Sequence, residues 1–284
     1  MAKLCRFGRM KASCHCRYRS CNDLYLFLLR LHCLTICLSG LIVSLPNYFA
    51  AEVAAVYDDD AEMFAAQMVD PVVDYLAALA GGGAALEFGI GTGRIALPLA
   101  KRGVAVTGID LSPHMLEQLA AKPGSEQITT VLGDFATTSV PHRFDVVYLV
   151  FNTLMNLTTQ AQQVACFANA AAHLKPGGYF VVEVMLPRLQ QLPVGETTQL
   201  FAFSGEHIGV DEYDLVSQRL VSHHVHWRDG VATSTRLPCR YVWPSEVDLM
   251  ARLAGMHLHE RCAGWQGEAF TSQSDAHVSV WQRD

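Results

Sequence analysis

A glycine-rich turn in the first third of the chain has residue types and a spacing that suit ligand binding. Residues 87–93 read Glu-Phe-Gly-Ile-Gly-Thr-Gly, and glycine backbone without Cβ atoms can bend sharply and lie close to a ligand. A dinucleotide fingerprint has glycine or alanine three residues after its second glycine. This chain has Arg94 at that position and its third glycine, Gly93, one residue earlier. The spacing therefore favours a nucleoside ligand without a pyrophosphate.

Two acidic residues follow this turn at positions that suit the rest of a nucleoside. Asp110 lies at the end of a predicted strand, where its carboxylate can accept hydrogen bonds from both ribose hydroxyls. Asp134 ends another predicted strand and is followed by Phe135, a pair that suits an adenine amino group and ring face. The alternatives are structural, with Glu87 as a capping or packing acid and Asp110 as a simple helix N-cap.

The elements that must position these residues alternate between strands and helices. Short apolar runs predict strands, and amphipathic or alanine-rich segments between them predict helices. Strands joined through helices, with no hairpin between them, form right-handed βαβ units and a parallel sheet covered on both faces. The strand ends then meet at one edge of a doubly wound α/β sheet, where ligands bind. The predicted strands are 84–88, 104–109, 128–132, 144–150 and 178–185, and the predicted helices are 61–79, 94–102, 112–121 and 161–174.

After residue 187 the pattern changes to that of antiparallel strands. Residues 215–227 and 231–243 alternate around an Asp-Gly pair at 229–230, which is a strong hairpin signal. We therefore expect an antiparallel hairpin cap, inserted at about 188–243 above the carboxyl ends of the parallel strands. The remaining predicted elements are a helix over 244–254 and closing strands over 257–263 and 278–282.

With these motifs in order, the chain resembles the class I S-adenosylmethionine-dependent methyltransferases over residues 52–284. The resemblance implies a seven-stranded Rossmann-like sheet, S-adenosylmethionine as cofactor, and methyl transfer to an O or N nucleophile of a small-molecule acceptor. It also implies that the glycine turn packs along the methionine part of the cofactor, that Asp110 holds the ribose and that Asp134 contacts the adenine amine. The stretches that carry the resemblance are 86–93, 108–112, 133–135, 144–148 and 174–178.

The cofactor-binding residues that the resemblance implies extend beyond the turn itself. Tyr57, ahead of the first predicted helix, matches a position where members of the family often have a tyrosine near the cofactor. The full predicted set is Tyr57, Glu87, Gly89, Gly91, Thr92, Gly93, Asp110, Leu111, Gly133, Asp134, Phe135 and Val150.

Methyl transfer from a sulfonium is an in-line displacement, to which a protein contributes mainly alignment and a dry pocket. An amine acceptor enters neutral, whereas a hydroxyl acceptor benefits from a general base. Asn152 and Asn156, in a loop where small-molecule members of the family often have histidine, can orient a nucleophile but not deprotonate it. His224 and His226 share one face of the predicted hairpin and are the candidate bases, with surface or packing roles as the alternative. The predicted substrate contacts are Phe151, Arg240, Tyr241 and Trp243, and Trp265 is a further candidate for the lining of the acceptor pocket. The aromatic members of this set could equally be core.

We predict that no metal takes part. The spacing of His224 and His226 could hold zinc, but no acid or cysteine nearby in the sequence completes the set. Magnesium-dependent O-methyltransferases carry an acid pair after strand four, where this chain has Asn152 and Asn156.

Charge divides the chain at about residue 51. Residues 1–51 carry seven of the 21 Lys and Arg and one of the 27 acids, which leaves 14 basic and 26 acidic residues for the remainder. A body this acidic is a poor nucleic-acid binder, so we expect a small-molecule partner, no nucleic acid, and a monomer or homodimer. Scattered cysteines in the body predict a reduced, cytoplasmic domain, in which Cys166 is a small core residue.

The first 51 residues differ from the rest in composition. They are basic, contain six of the nine cysteines, and include an apolar stretch over 24–45. This segment is predicted to be a nonfunctional extension, a signal or a membrane anchor, and we expect membrane association only if residues 24–45 are an anchor.

Two functions of other classes compete with the enzyme hypothesis. One is a nonenzymatic S-adenosylmethionine-binding protein or degenerate partner subunit, against which the intact Glu87, Asp110 and Asp134 argue. The other is a nucleotide-dependent oxidoreductase, against which Arg94 argues, because it occupies the position of the third fingerprint glycine.

Overall fold

The structure is a computed structural model that describes residues 51–59, 61–228 and 230–284, with the backbone alone for residue 228. They belong to a unit that extends over Asn47–Asp284. The expectations for residues 1–50 lie outside the described residues, as does Asp229 of the predicted hairpin turn. Among the described residues, no helix combines the length and the apolar character needed to span a bilayer.

Seven strands form the central sheet. They are β1 (Ala84–Phe88), β2 (Ala105–Asp110), β3 (Thr129–Leu132), β4 (Phe144–Leu149), β5 (Leu174–Met185), β10 (Met256–Cys262) and β11 (Ala276–Arg283). Their order in the sheet is β10-β11-β5-β4-β1-β2-β3. β1 to β5 are parallel, and β11 runs antiparallel to both of its neighbours. The predicted doubly wound, seven-stranded sheet is confirmed.

A second sheet, which we call the cap sheet, is inserted after β5 and has four antiparallel strands. It consists of β6 (Thr198–Phe203), β7 (His207–Asp214), β8 (Arg219–Arg228) and β9 (Val231–Arg240). The predicted antiparallel cap after the fifth strand is confirmed. β8 and β9 form the predicted hairpin, and β6 and β7 extend it to a four-stranded sheet. The strands of the hairpin are shorter than predicted, since residues 215–218 form a turn and residues 241–243 lie outside β9.

Six α-helices accompany the two sheets in the described residues: α1 (Ala51–Val56), α2 (Ala66–Ala80), α3 (Ala96–Lys101), α4 (Pro113–Ala120), α5 (Gln160–His173) and α6 (Pro244–Leu253). The predicted cap of α4 is confirmed, because the Ser112 hydroxyl accepts the backbone N–H of Met115 and Pro113 is the first helical residue. The first predicted helix begins later than residue 61, because Ala65 is extended and residues 61–65 form turns.

Side chains that alternate along the parallel strands fill an apolar core on each face of the central sheet. Leu86 and Phe88 lie in one core and Ala85 lies in the other, as expected for a parallel sheet covered on both sides. Cys166 of α5 is completely buried, which agrees with its predicted role as a small core residue. The polar groups that could meet a ligand are thereby confined to the strand ends.

Asp145, one of the acids in the methyltransferase-like stretches, joins the amino ends of β1, β4 and β5. Its carboxylate accepts the backbone N–H of Ala84 at 2.8 Å and the ammonium of Lys175 at 2.8 and 2.9 Å. Burial opposes ionisation, but these hydrogen bonds prevail and hold the pKa of Asp145 below its usual value. This end of the sheet lies opposite the ligand-binding edge, so Asp145 is structural.

We predict that Asp145→Asn lowers the free energy of unfolding at pH 7 by roughly 1–2 kcal/mol, because a charged acceptor with partly exposed partners is lost. The pKa of Asp145 is lower in the folded protein than in the unfolded chain. The stability that Asp145 contributes is therefore present above the pKa of the unfolded chain and is lost as the pH falls through the pKa of the folded protein. Urea unfolding at pH 7 and under acid conditions measures both effects. Glu196→Gln, at an exposed carboxylate, is the control; equal stability of the two variants at pH 7 would contradict the assignment.

Candidate active site

The glycine turn joins β1 to α3 at the carboxyl edge of the central sheet. Gly89, Gly91 and Gly93 have φ angles of 74°, 53° and 81°, in the left-handed region that other residues rarely adopt. The backbone N–H groups of Gly89 and Ile90 donate to the carbonyl of Ile109 at 2.8 and 3.2 Å. A Cβ added at Gly91 would meet no heavy atom within 4 Å, so the turn presents its backbone to open space at this residue.

Asp110, the last residue of β2, holds the turn in place. Its carboxylate accepts the backbone N–H of Gly91 and that of Ser112, each at 2.8 Å. Burial raises the pKa of Asp110, although these backbone donors act in the opposite direction. Leu111, directly after it, is 61% exposed. A fixed carboxylate beside an exposed apolar side chain suits a ribose and its attached base.

Glu87, the last but one residue of β1, is an almost completely buried carboxyl group. It accepts a hydrogen bond from the hydroxyl of Tyr148 at 2.9 Å. Burial raises the pKa of Glu87 to about 8, although the Tyr148 hydrogen bond and the charge of Arg94 oppose that shift. Glu87 can therefore lose a proton near neutral pH when a cationic group comes close.

The loop after β3 contains the predicted adenine-binding residues. Asp134 accepts the backbone N–H of Ala136 at 2.8 Å. Phe135 is only 9% exposed and stacks on Phe88 with ring centroids 5.7 Å apart. The prediction that Phe135 offers its ring face to adenine is therefore corrected, since that ring packs into the core beneath the turn. A side chain at position 133 would collide with Thr138, because a Cβ added to Gly133 would lie 2.2 Å from the Thr138 hydroxyl oxygen.

The segment before α2 lies against the glycine turn. The hydroxyl of Thr92 donates to Asp58 at 2.7 Å, and Lys122 forms an ion pair with the same carboxylate. Burial raises the pKa of the Tyr57 hydroxyl. The charges of Arg94, Asp110 and Glu87 also act on this hydroxyl, which places Tyr57 near all three. The structure thus places Tyr57 beside the glycine turn that contains Thr92, and contact of either residue with the cofactor stays a prediction.

The end of β4 has an unusual backbone conformation. After Val150, which is buried, Phe151 and Asn152 have φ angles of 57° and 61°, and left-handed conformations cost non-glycine residues free energy that surrounding contacts must offset. The carboxylate of Glu183 accepts the Phe151 backbone N–H at 2.7 Å, and the side-chain oxygen of Asn152 accepts the Met185 backbone N–H at 2.6 Å. Asn152 therefore anchors this loop to β5, while Phe151 remains 42% exposed.

A cavity of about 190 Å³ opens beside this loop. Glu183 also accepts the indole N–H of Trp265 at 2.9 Å, and the guanidinium of Arg94 lies 4.8 Å from the centre of the Phe151 ring. Trp265 is a candidate from the sequence for the lining of the acceptor pocket, whereas Arg94 and Glu183 were not predicted as site residues. The available signal was an acid, Glu183, among the apolar residues of β5. The cavity is lined in part by Met63, Met68, Arg94, Phe151, Glu183 and Trp265.

The other predicted substrate residues have different surroundings. The guanidinium of Arg240, 4% exposed, donates to Gln163, to Gln218 at 2.9 Å and to Glu246 at 2.7 Å. The prediction that Arg240 binds substrate is corrected, because these hydrogen bonds hold its guanidinium in a buried network between β9, α5 and α6.

The same correction applies to Tyr241, which is 2% exposed and packs in the core. Trp243 is 40% exposed and contacts the edge of the Tyr241 ring. Neither residue lines the 190 Å³ cavity.

The predicted catalytic histidines lie on the cap sheet. The imidazole ring of His207, on β7, stacks beside those of His224 and His226. His207 was not predicted as a site residue because β7 itself was not predicted. Burial and the neighbouring imidazoles lower the pKa of His224 to about 4. Asn156 is half-buried at the end of the short 3-10 helix Thr153–Asn156. The described side chains that line the 190 Å³ cavity do not include His207, His224, His226 or Asn156.

Comparisons with known proteins agree with this geometry. A family model described as a methyltransferase domain matches residues 85–178, which run from the second residue of β1 through the glycine turn to β4 and the start of β5. The cypemycin N-terminal methyltransferase of a Streptomyces species is 28% identical over 207 residues, covering 71% of this chain and 84% of its own length.

Solved structures extend the similarity to the cap sheet. The CcbJ methyltransferase from Streptomyces caelestis is 35% identical, with 83% of this chain and 98% of that chain covered and a TM-score of 0.74. The amino pentose methyltransferase CalS10 from Micromonospora echinaspora, solved with bound S-adenosylmethionine, is 24% identical, with 76% and 89% covered and a TM-score of 0.58. The match to CcbJ over nearly all of its length, together with the glycine turn and Asp110, shows that this chain belongs to the class I S-adenosylmethionine-dependent methyltransferases.

Proposed function

We propose that the protein transfers the methyl group of S-adenosylmethionine to an amine nitrogen of a small-molecule acceptor that binds in the 190 Å³ cavity. The observation that carries this proposal is the wall of that cavity, where the Glu183 carboxylate and the rings of Phe151 and Trp265 converge beside the glycine turn. Carboxylates and aromatic faces are groups that recognise ammonium ions.

The residues at the carboxyl edge fit the cofactor. Asp110 has two carboxylate oxygens, each of which accepts one backbone N–H and retains acceptor capacity for a ribose hydroxyl. The open backbone of Gly91 admits the chain of the ligand, and the exposed Leu111 can cover an adenine ring. Glu87 supplies a carboxylate toward the positively charged methionine end.

The cofactor supplies an electrophilic methyl group on a sulfonium, and the protein's part is alignment and exclusion of water. Glu183 holds the backbone of Phe151 from one side, and Trp265 holds Glu183 from the other. This arrangement fixes the left-handed end of β4 at the edge of the cavity. We propose that Phe151 sets the position of the acceptor there, with Arg94 fixed over its ring.

An amine acceptor agrees with the groups that line the cavity. No histidine is among the described lining residues; the lining carboxylates are Glu62 and Glu183, and Glu183 is already engaged by Phe151 and Trp265. This lining offers negative charge to an ammonium group more readily than it offers a general base to a hydroxyl acceptor. The cypemycin relative acts, by its name, on an N-terminus, which is also an amine. Base roles for His224 and His226, and orientation of the acceptor by Asn152 or Asn156, stay predictions.

Asp110→Ala should weaken the binding of S-adenosylhomocysteine by about 1–3 kcal/mol, because hydrogen bonds from buried hydroxyls to a charged acceptor are lost. Isothermal titration calorimetry measures the change. Asp145→Asn, at the opposite end of the sheet, is the matched control and should retain the affinity of the wild type. An unchanged affinity in a folded Asp110→Ala protein would remove Asp110 from the cofactor site.

Binding of the cationic cofactor should release a proton near pH 7, since Glu87 has a raised pKa of about 8 and a positive charge favours its ionised form. Affinity for S-adenosylmethionine therefore increases with pH. The increase ends at the pH where Glu87 is already ionised in the ligand-free protein. Calorimetry in two buffers of different ionisation enthalpy counts the released protons. Glu87→Gln should release fewer; equal release by both proteins would show that another group titrates.

A panel of small amines and alcohols of matched shape tests the acceptor atom. We expect formation of S-adenosylhomocysteine with amines and none above background with the alcohols, at a rate that rises with pH as the amine loses its proton. Mass spectrometry of the product locates the methyl group. Turnover of alcohols without turnover of their amine counterparts would overturn the assignment to nitrogen while leaving cofactor binding intact.

A further inference from the structure

Three histidines meet on one face of the cap sheet, outside the cavity described above. One nitrogen from each of His207, His224 and His226 can be chosen so that all three lie within 4.8 Å of one another. We propose that these histidines form a binding site for a divalent transition-metal ion of the zinc type, with three imidazole ligands and one exchangeable position.

The strand register brings the three side chains to the same face. His207 of β7 is paired with His226 of β8, and Gly209 is paired with His224. His224 and His226 are two residues apart on one strand and share a face with His207, their cross-strand neighbour, so the three side chains lie side by side. Two ligands from one strand and a third from its neighbour are therefore held by a hydrogen-bonded backbone. A metal site of this kind is largely preorganised before the ion arrives.

The distances suit a tetrahedral ion. Zinc binds imidazole nitrogen at about 2.0–2.1 Å, which places the nitrogens of a tetrahedral site roughly 3.4 Å apart. Nε2 of His207 and Nδ1 of His224 are already 3.0 Å apart. The rings of His207 and His226 are stacked with centroids 4.2 Å apart, so ligation requires a turn of the His226 ring about χ2, a torsion with broad minima.

The surroundings supply an outer shell. The hydroxyl of Ser222 lies 3.2 Å from Nε2 of His224, on the side of the ring away from the His207 contact, and such a partner orients a metal-bound imidazole. The Phe201 ring contacts His207 and His224 at centroid distances of 6.2 and 5.4 Å. It lies over Gly209, where a Cβ would come within 2.4 Å of it.

The chemistry of the set selects the ion. Three imidazoles and no carboxylate favour zinc, copper, nickel or iron over calcium and magnesium, which prefer oxygen. Three protein ligands are typical of zinc sites that keep a position open for water or another ligand.

The site faces the body of the domain. Tyr213 and Leu220 are paired across β7 and β8 on the same face as the histidines, and both are buried in the main apolar core. The exchangeable position of the metal would therefore lie on the inner side of the cap sheet, where it can take a water, amine or carboxylate ligand.

The test is a titration of the full chain with cobalt(II) and zinc(II), with three single variants and a control. His207→Ala, His224→Ala and His226→Ala should each lose one bound equivalent. His223→Ala should bind as the wild type does, because His223 lies on the opposite face of β8, beside Glu212. Ser222→Ala should keep the site with affinity about 10-fold lower.

Two further readouts make the outcome decisive. The lost equivalent should show cobalt ligand-field bands without thiolate charge transfer, which separates this site from cysteine ligands in residues 1–51. Crystals of the wild-type protein grown with zinc should show anomalous scattering between the three histidines. This readout does not depend on whether the variants fold. Equal stoichiometry in wild type and folded His224→Ala, sulfur ligation of the lost equivalent, or zinc bound only elsewhere would overturn the proposal.

Discussion

The hydrogen bond from the backbone N–H of Gly91 to the carboxylate of Asp110, at 2.8 Å, ties the middle of the glycine turn after β1 to the last residue of β2. Because the strands are parallel and in register, with Phe88 beside Ile109, the two strand ends arrive at the same edge. The bond fixes a buried carboxylate and an open stretch of backbone relative to each other. The proposed cofactor site is built on that pair.

Neighbouring contacts extend this constraint toward the acceptor. Arg94 follows the glycine turn and lies over the ring of Phe151, while Glu183 of β5 holds the backbone of Phe151 in its left-handed conformation. Strain in a loop persists only where surrounding contacts over-determine it, and here two strands and Trp265 do so. The cofactor edge and the proposed acceptor cavity are thus joined by side chains that also stabilise the fold.

Local patterns were sufficient to predict much of this arrangement. The parallel strands, the glycine turn, Asp110 and the Ser112 cap depend on residues close together in sequence, and all were predicted. The contacts that were not predicted depend on distant pairing: the hydrogen bond of Trp265 to Glu183 spans 82 positions, and His207 joins His224 only because β7 pairs with β8. Arg240 and Tyr241 were assigned to substrate because the sequence does not reveal that Gln163 and Glu246 surround that guanidinium, or that Tyr241 is buried.

The most direct measurement of the central claim is a crystal structure of the protein with S-adenosylhomocysteine. We predict that both ribose hydroxyls contact the Asp110 carboxylate, that the chain of the ligand runs along the backbone at Gly91, and that its sulfur lies toward the cavity beside Phe151. Ligand density away from Asp110, or a ribose held by other residues while the Gly91 turn is unchanged, would contradict it.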